Sequence, residues 1–87
     1  GDVYKRQSLY LRFEVKDKPG VLAQITKKLA EKKISVERLI QIPDIKKKTA
    51  SIVIVTHKTK EISAQKCLIS LSKNKNIYKK PVLIRLL

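Results

Sequence analysis

The hydrophobic period of this chain switches from two to nearly four within a few residues, and that switch limits the folds open to it. Leu9, Leu11, Phe13 and Val15 alternate with Ser8, Tyr10, Arg12 and Glu14, the repeat of a strand with one buried face. Lys16-Asp17-Lys18-Pro19-Gly20 breaks the alternation. Beyond the break, Leu22, Ile25, Leu29 and Ala30 recur at helical spacing, with Gln24, Lys27, Lys28, Glu31 and Lys32 on the other side. An amphipathic helix is therefore expected to run to about Lys32. A strand and a helix that each bury one side can cover one another.

The rest of the chain repeats this logic. Ile34 to Ile42 (ISVERLIQI) predicts a second strand whose alternation shifts near Arg38-Leu39, as a bulge would cause. Pro43 to Lys48 predicts a turn, and Ala50 to Thr56 (ASIVIVT) a third strand forming a hairpin with the second. Thr59 is the expected cap of a second helix, with Glu61 in its first turn and Ala64, Cys67, Leu68 and Leu71 as its buried stripe. Lys73 to Asn76 should end that helix, and Val82 to Leu87 should form the last strand. The order βαββαβ predicts an α+β, ferredoxin-like two-layer sandwich: a four-stranded antiparallel sheet with two helices on one face. Gly1 to Gln7 (GDVYKRQ) show neither period. They are expected to be a boundary remnant or artefact outside the fold, with residues 8–87 as the domain.

At 87 residues, one core is only marginally sufficient, so a homo-oligomer or a parent polypeptide is expected to supply further burial. The formal charge of +14 would by itself nominate nucleic acid. Yet only Arg6, Arg12, Arg38 and Arg85 are arginine, and the other 17 of 21 basic residues are lysine spread over the whole chain. Arginine is the better reader of phosphates and bases, so a solvated lysine surface is the expectation. The third strand also lacks the aromatics on which RNA recognition motifs of this topology stack bases, leaving Tyr10 as the sole stacking residue on the open face. A basic nucleic-acid-binding domain is thus the less favoured alternative, and nucleic acid is not the expected partner. The longest apolar run, Ile52 to Val55, is far too short for a bilayer, and no leader pattern opens the chain. A single cysteine rules out an internal disulfide. A soluble, cytoplasmic protein is expected.

Catalytic readings lack parts. No Gly-rich phosphate loop, metal constellation or nucleophile with a neighbouring base can be assembled. His57 is expected to serve in a loop or cap, and Cys67 as a small hydrophobe of the helix core. The distinctive stretch is Asp17-Lys18-Pro19-Gly20-Val21-Leu22, which sets the free amides of a helix start beside a carboxylate. Such a site suits a zwitterion, the amides facing an α-carboxylate and Asp17 an α-ammonium group. The same residues serve equally well if Asp17 only caps the helix and Gly20 only relieves crowding. Spacing alone leaves both readings open.

Asp17 to Ile25 (DKPGVLAQI) resembles the loop and helix of the ACT domain, a regulatory amino-acid-binding module. Ile34 to Gln41, Ala50 to His57 and Pro81 to Arg85 extend the likeness from about Leu9 to Leu87, and together resemble the C-terminal regulatory domain of homoserine dehydrogenases. The resemblance implies an effector, threonine or a related amino acid, held by Asp17, Lys18, Pro19, Gly20, Val21 and Leu22, with Gln41 as a polar position near the end of the second strand. It implies side-by-side pairing of domains, with ligand between this loop and the partner's second strand. It also implies preceding catalytic domains that reduce aspartate semialdehyde with NAD(P). No cofactor is expected on this chain. Thr56 and His57 match without a ligand role, and the lysine load and Lys46 to Lys48 depart from the family pattern. Some ACT domains have lost ligand binding and serve as dimerisation surfaces, which is the alternative the resemblance carries.

Overall fold

The computed structural model describes residues 3–87. Its elements are β1 (Arg6–Gln7), β2 (Leu9–Lys16), α1 (Val21–Glu31), β3 (Val36–Asp44), β4 (Thr49–Thr56), β5 (Thr59–Lys60), α2 (Glu61–Ser72) and β6 (Ile77–Arg85). The main sheet has the order β3-β4-β2-β6, with every neighbouring pair antiparallel. This is the ferredoxin-like βαββαβ arrangement the hydrophobic periods predict, with two short strands added. No helix among the described residues is long and apolar enough to cross a membrane.

The core follows from the alternation. Leu9, Leu11, Phe13 and Val15 of β2 and Ala50, Ile52 and Ile54 of β4 are all buried on one face of the sheet. Against them pack Val21, Ile25 and Leu29 of α1 and the stripe of α2, Ala64, Cys67, Leu68 and Leu71. Ala30, expected in the first helix's apolar face, is exposed instead, and Val21 takes the position one turn before Ile25. Burial pushes the Cys67 thiol up, with Lys32 and Lys28 opposing it, consistent with a packing residue rather than a nucleophile.

Several boundaries differ from the sequence expectation, each for a local reason. The second strand runs from Val36 to Asp44, because the Ile34 amide is taken by the Leu29 carbonyl at 2.9 Å in the turn that leaves α1. The expected bulge is present at Glu37, where Val36 pairs with Thr56 but Arg38 already pairs with Val55. Pro43 lies within the strand, not in the turn. That is tolerated because β3 is an edge strand, where a missing amide leaves no ladder bond unmade. The last strand begins at Ile77 rather than Val82 and stops at Arg85. Its polar start, Tyr78-Lys79-Lys80, hides it from any alternation test, and Lys79 at φ 55° marks an irregularity opposite the Arg12–Glu14 stretch of β2.

The amino-terminal residues also require correction. Arg6 and Gln7 form β1 and pair antiparallel with Lys60 and Thr59 of β5, and the Ile62 amide donates to the Val3 carbonyl at 2.9 Å. Residues 3–7 therefore pack on the domain instead of lying outside it; Gly1 and Asp2, covered by the same expectation, fall outside the described residues. Thr59, the expected cap of the second helix, is buried in this small ladder. The N-cap of α2 is Lys60, with no side-chain cap bond.

Candidate functional site

The turn between β2 and α1 is built almost entirely by backbone. Lys18 donates its amide to the Lys16 carbonyl at 3.0 Å, and Asp17 donates to Lys48 at 2.9 Å, tying the loop to the β3–β4 turn. The Lys16 amide donates to Asn76 at 2.8 Å. The loop is thus pinned from both sides. Gly20 then enters α1 as its N-cap with φ 93° and ψ −19°, a left-handed conformation that L side chains adopt only with strain. A Cβ at this position would touch no protein atom within 4 Å. Gly20 is required by its backbone angles, then, not by crowding.

Asp17 does not cap the helix. The N-cap is Gly20, with no side-chain cap bond, and no acidic residue lies in the first turn of α1. The first helical bond runs from the Gln24 amide to the Gly20 carbonyl at 3.0 Å. The amides of Leu22 and Ala23 thus precede the intrahelical ladder and sit at the positive end of the helix dipole. Among the described residues the Asp17 carboxylate makes no hydrogen bond or ion pair. An unengaged carboxylate stands beside an uncapped helix start.

These groups line a pocket of about 350 Å³ formed by Val15, Lys16, Asp17, Lys18, Pro19, Gly20, Val21, Leu22, Gln41 and Ile52. All seven residues singled out from the sequence, Asp17 to Leu22 and Gln41, lie on this one wall. Gln41 is brought there by register: it pairs with Ile52 on the helix-covered face of the sheet. Sequence reasoning missed Val15, Lys16 and Ile52. The signal was available, since Val15 and Ile52 are inward positions of alternating strands and paired neighbouring strands place them under the loop. The pocket's apolar floor and polar rim can accept a small molecule with one apolar substituent and charged groups at the other end.

A larger concavity of about 740 Å³ lies between α2 and β6, lined among others by Glu61, Gln65, Leu68, Ile69, Leu83 and Arg85. Its polar groups already satisfy one another. Arg85 Nε and Nη2 donate to the two Glu61 oxygens, the second at 3.1 Å, and Gln65 donates to Glu61 at 2.8 Å. With its ionic groups spent internally, this concavity offers a ligand less than the smaller pocket does. His57 is exposed and its amide donates to the Ser35 carbonyl at 2.9 Å, extending the β3–β4 pairing past Val36 and Thr56. Thr56 is buried, and its hydroxyl accepts the Leu9 amide at 3.1 Å. Both are framework residues. Among the described residues no group of three His, Cys, Asp or Glu could hold a metal ion.

Comparison with known proteins is consistent with this geometry. The ACT domain family model matches residues 9–66, well over half of the chain and all of the loop and pocket walls. The chain belongs to the ACT domain family. Within it, the domain is 52% identical over 54 residues to homoserine dehydrogenase of Neisseria gonorrhoeae, a match covering 62% of this chain and 12% of that enzyme. It is 44% identical over 62 residues to homoserine dehydrogenase of Bacillus subtilis, covering 69% of this chain and 14% of that enzyme. Among solved structures, homoserine dehydrogenase from Thiobacillus denitrificans superposes on 97% of this ACT domain with a TM-score of 0.84 at 31% identity, using 18% of its own length. The chain therefore spans a small fraction of each relative, and the likeness is to their ACT region.

Proposed function

We propose that this ACT domain binds a free α-amino acid at the mouth of α1 and regulates a homoserine dehydrogenase of which it forms a part. The observation that carries the reading is that Asp17, whose carboxylate has no partner among the described residues, and the uncapped start of α1 line the same open pocket. The Leu22 and Ala23 amides suit an α-carboxylate, Asp17 an α-ammonium group, and the floor of Val15, Val21 and Ile52 a short side chain. Threonine or a related amino acid is the expected effector. Cytoplasmic location, and a nicotinamide cofactor on catalytic domains outside this chain, belong to the same reading.

Gln41 of β3 lines the pocket, and β3 is an edge strand with no neighbour on its outer side in the sheet. A second domain pairing there would place its own strand beside Gln41 and narrow the site, so that ligand and assembly become linked. A ligand that fits one arrangement of the pair better than the other shifts the population by its difference in affinity. Isothermal titration with threonine and a panel of amino acids is the direct test. Saturable heat for threonine or a close analogue, lost in Asp17→Ala, is expected, and the absence of binding by every proteinogenic amino acid overturns the reading.

A further inference from the structure

A free α-amino acid brings two charged groups to the pocket at the mouth of α1. The helix amides suit its carboxylate and Asp17 its ammonium group, which leaves two charged residues of the pocket wall without a task. Lys16 and Lys18, on either side of Asp17 in sequence, line the same pocket. Both are exposed, and neither ammonium group has a hydrogen bond or ion pair among the described residues. Two cations thus stand against one carboxylate in the pocket lining, before the positive end of the helix dipole is added. A zwitterion with a neutral side chain leaves that excess uncompensated.

The main chain fixes the roots of these lysines although their side chains are wet. The Lys16 amide donates to the Asn76 carbonyl at 2.8 Å, and the Lys18 amide to the Lys16 carbonyl at 3.0 Å. Each stem therefore starts from a set point on the pocket wall, and less freedom is lost when its ammonium group meets an anion. The turns that pin the loop strengthen the field. The Asp17 amide is held by the carbonyl of Lys48 at 2.9 Å, which follows Lys46 and Lys47, and Asn76 follows Lys75. All four of these lysines are exposed and outside every ion pair of the described residues. Asp44, at the head of the β3–β4 turn, is the remaining carboxylate of these segments, and it accepts the Lys47 amide at 3.2 Å.

We infer that the effector of this site carries a second anion on its side chain: an amino acid ending in a carboxylate or a phosphoryl ester, engaged by Lys16 and Lys18. The inference rests on the amino-acid reading of the pocket and narrows the ligands open to it. The apolar floor of Val15, Val21 and Ile52 then faces the carbon atoms between the two ends of the ligand. Lysine is a compact point charge that serves a carboxylate and a phosphoryl group alike. A pocket of about 350 Å³ is large enough for a ligand of either kind. The lysines of the adjoining turns concentrate anions at the entrance and speed their capture.

Calorimetric titration of the chain with two pairs of ligands tests it: aspartate against asparagine, which differ in charge at nearly equal size, and O-phosphothreonine against threonine. The anionic member of at least one pair should bind at least about tenfold more tightly than its neutral counterpart, and added salt should shrink that ratio. Which pair shows the larger ratio distinguishes a carboxylate from a phosphoryl group. In the Lys16→Gln/Lys18→Gln double variant the ratio should fall to near one. Lys66→Gln, which removes an exposed lysine of α2 outside the pocket, should keep it. Anionic and neutral members that bind equally overturn the inference and leave the amino-acid reading standing, as does a preference that survives the double substitution. Absence of binding by these four ligands and by every other proteinogenic amino acid overturns both.

Discussion

Arg85, near the end of the last strand, closes over Glu61 in the first turn of α2 and engages both carboxylate oxygens. Glu61 keeps only 4% of its side chain exposed, whereas Arg85 keeps 42%. One ion is thus desolvated and the other still wetted. Gln7 also donates to Glu61, at 3.4 Å, and Gln65 at 2.8 Å. The carboxylate gathers β1, α2 and β6 at one point and offsets the positive charge expected at the helix start.

The Glu61 carboxyl is held below its ordinary range, first by the Arg85 bond and then, against the opposing effect of burial, by the Arg85 charge and the Gln65 bond. A carboxyl depressed in the folded state adds stability that is fully present above its unfolded value of about 4.3 and is lost as pH falls through the folded value. Urea unfolding followed from pH 7 to pH 3 should show that acid loss in wild type. Glu61→Gln should be less stable at pH 7 by about 1 to 2 kcal/mol, because Arg85 loses its counter-ion but keeps access to water. The two curves should converge toward pH 3. Parallel curves would mean that Glu61 does not carry the acid sensitivity.

Thr56 has a buried hydroxyl that accepts the Leu9 amide at 3.1 Å where β2 begins. Valine has nearly the same shape and no acceptor. Thr56→Val should destabilise by about 1 to 3 kcal/mol, the cost of a buried amide left unpaired. For a domain of this size that lowers the melting temperature by at least about 4 °C. Amide hydrogen exchange distinguishes the cause: Leu9 should lose protection in Thr56→Val and retain it in Thr56→Ser.

Cys67 is fully buried in the α2 stripe, with its thiol pushed up by burial. It should resist a neutral thiol reagent in the native chain and react fully once the chain is unfolded in urea. Reaction within minutes under native conditions would indicate that α2 opens locally far more often than the rest of the core.

What the sequence made legible follows from where the side chains carry a period. Leu9 to Val15 and Ala50 to Thr56 bury one face and expose the other, so their strands could be read directly, and the α2 stripe of Ala64, Cys67, Leu68 and Leu71 likewise. Ile77 to Lys80 and Val3 to Gln7 join the fold through backbone bonds and one buried carboxylate, with few apolar side chains to advertise them. Their elements were accordingly missed or placed late. The same limit applied at the caps. Asp17 and Thr59 are good cap residues by type, but Gly20 caps α1 because the preceding loop is fixed by main-chain bonds to Lys48 and Asn76, and Lys60 caps α2 because Thr59 is taken into the β1–β5 ladder; no local pattern encodes either. The pocket residues were legible as a motif; that Gln41 reaches them depended on a register that passes through the bulge at Glu37.

Gly20 and Asp17 allow the scaffold and the ligand role of the loop to be separated. Gly20 is held at φ 93°, so Gly20→Ala should cost about 1 to 2 kcal/mol in stability, although a methyl there meets no protein atom. Asp17 is exposed and its carboxylate engages no partner among the described residues, so Asp17→Asn should leave the stability within about 0.5 kcal/mol of wild type. If Asp17 holds an ammonium group, the same substitution should weaken amino-acid binding by at least about tenfold, the loss of a charge-assisted bond. Gly20→Ala should weaken binding as well, since Gly20 lines the pocket and its left-handed conformation sets the start of α1 there. Denaturant unfolding and calorimetric titration on the two variants give four numbers, and the expected pattern is one variant impaired in both properties and the other in binding alone. An Asp17→Asn protein that binds as tightly as wild type would remove the carboxylate from the site and leave recognition to the helix amides and the neighbouring lysines.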